Sequence, residues 1–139
     1  MFKRKPESGP SDQWGPIGGE GDHSAANYDW VREEVVMLGK PADDQYAYLV
    51  ENGYPTTELL EQFFAVVPGF LPFLLARGRI SESDAAVLVD FEQFLIQTVC
   101  PKPWGDERDV LDDPLWKLAR QRAAEVLELI PPPFAQSES

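Results

Sequence analysis

Apolar side chains recur along most of this chain at steps of three and four residues, and they alternate with polar ones over no useful length, so the expected elements are helices. In the first, Tyr28, Val31, Val35 and Leu38 fall on one face. Asn27 suits the cap position, and Gly39 with Pro41 ends the run. A second helix is expected from Ala42 to Asn52, with Asp43 and Asp44 complementing the dipole and Gly53 stopping it. Its inward residues are expected to be Tyr46, Leu49 and Val50.

Thr56 or Thr57 opens the next segment, ELLEQFFAVV, with Glu58 and Glu61 outside and Leu59, Leu60, Phe63, Phe64 and Val67 inside. Pro68 and Gly69 predict a break there, followed by a separate turn or helix from Phe70 to Ala76 that ends at Gly78. The apolar run from Phe63 to Leu75 is therefore read as buried core with a hairpin-like bend. It is shorter than the roughly 20 apolar residues of a membrane span. The stretch from Ile80 to Cys100 carries the clearest helix, capped by Ser81 with Asp84 three residues on, and its broad apolar arc of Val87, Leu88, Phe91, Phe94, Leu95 and Val99 marks a central position. Pro101 and Pro103 end it.

The last helix begins with Asp113 at the cap and Pro114 just inside, and Leu115, Leu118, Ala119, Arg122, Val126, Leu127 and Ile130 trace its face up to Pro131. These segments predict an all-α fold, a single compact helical bundle of about five helices over residues 27–133. A flexible arm rich in Gly, Pro and Ser is expected over residues 1–26 and a polar tail over 134–139. Within the arm, Trp14 and Ile17 are the side chains suited to pin it to the body.

Composition changes the picture in two ways. Twelve Lys and Arg stand against 24 Asp and Glu, a net charge of -12, which repels phosphate backbones and anionic lipid and disfavours direct binding to nucleic acid or a membrane surface. The same charge favours encounter with a basic protein, although acidity also serves solubility alone. The single cysteine, Cys100, permits no intramolecular disulfide and fits a cytoplasmic home. The basic start, MFKRK, leads into a polar run and not into the apolar core of a secretion signal.

Conventional catalytic sets are missing. The one histidine, His23, lies in the arm, so Ser-His and Cys-His nucleophiles and a Cys/His zinc cluster are not expected. GPIGGEG, residues 15–21, lacks the preceding strand and the Lys-Ser/Thr ending of a phosphate loop. Cys100 is expected to be a small buried hydrophobe. The doublets Glu33–Glu34 and Asp43–Asp44 point to different sides of their helices, and the acidic run lacks the spacing of a calcium loop. No catalytic residue, metal or cofactor is expected; an enzyme built on carboxylates alone is the third-ranked alternative, and it needs acids converging in a pocket.

What remains is the run from Asp106 to Asp113, DERDVLDD, five carboxylates against one arginine. Asp106, Glu107, Asp109, Asp112 and Asp113 are candidates for an anionic ledge that pairs with lysines or arginines of a partner, with Trp104 as an aromatic anchor and Asp43 and Asp44 extending the surface. Asp113 and Asp112 also have a structural use at the helix start, so the exposed expectation rests on Asp106, Glu107 and Asp109. Trp116, beside the inward face of the last helix, is expected to close the core.

The stretch DDPLWKLARQRAAEVLEL, residues 112–129, resembles toxin-immunity proteins of polymorphic and contact-dependent bacterial systems at Pro114, Leu115, Trp116, Arg120, Ala123, Ala124 and Leu127. The resemblance implies a cytoplasmic, non-enzymatic inhibitor that covers the active site of a basic toxin. Such families share no single binding motif, so it transfers no binding residues. The alternative expectation is a nucleic-acid mimic, a phage-type inhibitor of a DNA-binding machine, whose spaced carboxylates imitate phosphates.

Overall fold

The computed structural model describes residues 24–131, and these form an all-α bundle of five α-helices with no strand among them. The expectations for the arm over residues 1–23, including Trp14, Ile17, His23 and the glycine-rich GPIGGEG, and for the polar tail fall outside the described residues. Helix α1 spans Ser24–Gly39, α2 Ala42–Asn52, α3 Glu58–Ala76, α4 Glu82–Phe94 and α5 Pro114–Leu129. A π-helical segment, Leu95–Val99, continues α4, and a 3₁₀ turn, Arg108–Asp112, precedes α5.

Helix α1 begins three residues ahead of the expected boundary. Asn27 is a buried residue inside the helix and not its cap, and the expected arm over 1–26 overlaps α1 at Ser24 to Ala26. Tyr28, Val31, Val35 and Leu38 are buried as their spacing predicts. Helix α2 has the expected bounds, and Gly53 ends it at φ 69°, a conformation that costs glycine little. Its inward face is rotated from the expected one: Gln45 and Leu49 are buried, whereas Val50 is 60% exposed.

Helix α3 is the main departure. It runs unbroken through Pro68, Gly69 and Pro72, so the expected break, bend and separate helix from Phe70 do not exist. Each proline removes one intrahelical amide, a cost of about 3 kcal/mol in a helix interior. Pro72 is exposed and Pro68 only half-buried, so the two defects lie toward solvent. The opposite face buries Leu59, Leu60, Phe63, Val66, Val67, Leu71 and Leu74. Non-directional burial of that face outweighs two local breaks. Joined in this way, α3 is long and apolar enough to cross a membrane by length and composition, while 44% of that window is buried inside the fold, as suits a core helix.

The Ser81 hydroxyl accepts the Asp84 amide at 3.0 Å and caps α4 as expected. In the π segment the Cys100 amide reaches the Leu95 carbonyl at 2.8 Å. The wider turn keeps Leu95 and Val99 buried but leaves Cys100 exposed, contrary to expectation.

Helix α1 packs mainly on α3 and α5. Arg79, just past the end of α3, donates its Nε to Ser24 at the start of α1, and Trp30 packs edge-on against Phe70, so α1 and α3 run antiparallel. Trp116 is fully buried and closes the core as expected. Gln45, also fully buried, donates Nε2 to the carbonyls of Met37 and Leu38, both at 3.1 Å, and accepts from Arg120 at 3.3 Å. Arg120 also donates to the Leu111 carbonyl at 2.8 Å. This bridge satisfies carbonyls at the end of α1 and joins it to α2, α5 and the 3₁₀ turn.

Candidate partner-binding site

The loop from Cys100 to Asp113 folds into a corner between α2, the π segment and α5, and the chain builds it around one aromatic. Trp104 is half-buried, its indole N–H donates to the Val99 carbonyl at 2.9 Å, and its ring packs against Trp116 at 5.5 Å between centroids. An aromatic held at both its polar tip and its face is a rigid wall. It lines an open groove of about 370 Å³ together with Lys102, Gly105, Asp109, Asp112 and Asp113.

Most of the acids in this corner already have work within the chain. Asp113 caps α5 through the Leu115 amide at 2.8 Å and pairs with the Lys102 ammonium at 2.7 Å. The Lys102 bond, then the backbone bond, holds the Asp113 carboxyl below the usual carboxylate range. Lys102 also stands over the Trp104 ring at 5.0 Å. Arg108 donates Nη2 and Nε to one oxygen of Asp43, at 2.6 and 3.1 Å, and its Nη1 lies 3.2 Å from Asp112. Its hydrogen bonds to Asp43 and then Asp112 raise the guanidinium pKa, so Arg108 stays charged throughout.

Asp106 corrects an expectation. It has a folding role, because its Oδ1 accepts the buried Thr56 amide at 3.1 Å and ties the corner to the approach of α3. Thr57 at the start of α3 makes no side-chain cap bond of its own. Glu107 folds its carboxylate against Gly105, where an added Cβ would stand 2.8 Å from the Glu107 oxygen. Asp44, Glu107 and Asp109 are exposed and have no ion-paired cation among the described residues.

The corner thus brings together Trp104, Asp109, Asp112 and Asp113 around the groove, with Asp43 joined to them across 65 residues by Arg108. Asp44 lies beside Asp43 on the first turn of α2, and Asp106 is turned toward Thr56. Two partners were not foreseen. Lys102 and Arg108 divide the ledge into paired and unpaired acids. The pairing of Arg108 with Asp112 has the i,i+4 spacing visible in the sequence, whereas nothing local announces Asp43. Among the described residues no group of three or more His, Cys, Asp or Glu is placed to hold a metal ion. Comparison of the chain with protein-family models, with curated proteins and with solved structures returned no match.

Proposed function

We propose that this chain is a non-enzymatic acidic binding protein that neutralises a basic protein partner, acting in the cytoplasm as an immunity protein against a bacterial toxin. The observation that carries this reading is the division of labour in the corner. Asp43, Asp106, Asp112 and Asp113 are engaged within the chain and hold the surface, while Asp44, Glu107 and Asp109 are exposed with no ion-paired cation among the described residues, and Asp109 lines the Trp104 groove. Lysines or arginines of a partner would complete those pairs, and Trp104, already immobilised, would contribute contact area at little entropic cost. The net charge of -12 would raise the rate of encounter with a basic effector.

The alternative, a mimic of nucleic-acid phosphates acting on a DNA-binding machine, asks for carboxylates at regular intervals along an extended face. Gathering of residues 43–44 and 106–113 at one corner favours the compact patch. The test starts by recovering the partner from host extract with the full-length chain. Calorimetric titrations in rising salt then compare the parent with Glu107→Gln/Asp109→Asn. The double variant is expected to bind on the order of tenfold more weakly and with a shallower salt dependence. Equal affinity and an equal salt slope would remove the corner from the interface, and competition by duplex DNA would favour the mimic.

A further inference from the structure

The groove at the corner already holds a cation of the chain's own. Lys102 sets its ammonium over the Trp104 ring, 5.0 Å from the centroid, and pairs it with Asp113 at 2.7 Å. An aromatic face and a carboxylate are the two contacts by which a protein surface takes up a cationic side chain. Neither contact locks the lysine in place. Its side chain is 45% exposed, and Asp113 stays anchored without it through the Leu115 amide at 2.8 Å. The charges of the groove leave one position open. Asp109, Asp112 and Asp113 line it; Lys102 pairs with Asp113, and Arg108 reaches Asp112 at 3.2 Å, so Asp109 alone of the three has no ion-paired cation among the described residues. The groove volume of about 370 Å³ is at the small end of ligand clefts, which run from about 300 to 1,000 Å³, and it suits one long side chain.

We propose that this groove receives a single arginine side chain of the basic partner, its guanidinium stacked on the Trp104 ring and paired with Asp109, and that Lys102 is an internal occupant which the arginine displaces from the ring. The inference rests on the proposed function for the source of the arginine. Its chemistry selects arginine over lysine. A second ammonium would meet Lys102 as a like, strongly hydrated point charge. A guanidinium is planar, more weakly hydrated and forked, so it lies flat on an indole and donates two bonds to one carboxylate. Trp104 offers it a pre-set face, because the indole bond to the Val99 carbonyl and the packing on Trp116 fix the ring. Lys102, tethered beside the ring, competes at high effective concentration and sets a threshold that a weakly held cation does not pass.

Titration of the full-length chain with N-acetyl-arginine amide at low salt, followed by the Trp104 indole N–H resonance, tests the groove without any partner. The shift is expected to saturate in the millimolar range, with N-acetyl-lysine amide binding several-fold more weakly. Lys102→Met is expected to tighten arginine-amide binding several-fold. Lys117→Met, which removes the same charge from an exposed position outside the groove, is expected to change it far less. Asp109→Asn is expected to weaken it several-fold at an unchanged melting temperature. Absence of a saturable shift, equal binding of the two amides, or a Lys102→Met effect no larger than that of Lys117→Met would overturn the inference. The two readings fail separately. Arginine binding by a chain that recovers no basic partner from host extract would overturn the proposed function alone, and a recovered partner with no amide binding would overturn the arginine groove alone.

Discussion

Helix α3 and the corner from Cys100 to Asp113 each break a local rule, and different forces hold them. Helix α3 keeps two prolines inside a helix because its inner face buries Phe63, Leu71, Leu74 and their neighbours mainly against α1. The corner crowds five carboxylates into eight residues and is held by directional bonds: Arg108 to Asp43, Asp106 to Thr56, Lys102 to Asp113. Burial is non-directional and little affected by salt, whereas exposed ion pairs are screened and titrate. The stability of α3 should therefore follow volume and area, and that of the corner should follow pH and ionic strength.

The largest expected effect lies in α3. Phe63→Ala, which empties a fully buried site packed edge-on against Phe91, should cost about 3–5 kcal/mol in denaturant unfolding, with little dependence on salt. A cost under about 1 kcal/mol would mean that burial is not what carries the helix past its prolines. Smaller and opposite in sign, Pro72→Ala restores an amide on the exposed side. It should stabilise the fold by roughly 2 kcal/mol after allowing for the freer unfolded chain. A loss of stability there would show that the proline serves the fold.

The smallest effect belongs to the corner. Asp113 has a folded pKa below its ordinary value, so its contribution is present above the unfolded pKa of about 3.9 and is lost as pH falls through the lower folded value. Asp113→Asn should remove that part of the acid dependence of the melting temperature while keeping a side-chain acceptor for the Leu115 amide. Identical acid profiles for the parent and the variant would contradict the assigned role of Lys102.

Much of the fold was legible because it is local. Ser81 caps α4, Asp113 caps α5 and Gly53 closes α2, each acting on groups a few residues away. The periodicity of α1 named Tyr28, Val31, Val35 and Leu38 correctly, but not the buried polar residues Ser24, Asn27 and Glu34. Failures came where distant packing decided the outcome. Val50 and Gln45 exchanged places because the Gln45 amide meets the α1 carbonyls and Arg120, and Cys100 reached solvent because a π turn rephased the end of α4. In the candidate site the sequence marked the acids but not their division into paired and unpaired. That division depends on a Thr56 amide 50 residues from Asp106 and on an Asp43 carboxylate 65 residues from Arg108.

The sequence by itself determined that this chain is helical, where most of its helices start and stop, and that its surface is acidic, because caps, periodicity and charge are properties of near neighbours. Only the tertiary structure decided that α3 is one helix, that Asp106 has a folding role, and which carboxylates of the corner pair with a cation among the described residues. Those outcomes turn on burial and on bonds between segments far apart in the chain, and no local pattern encodes their partners.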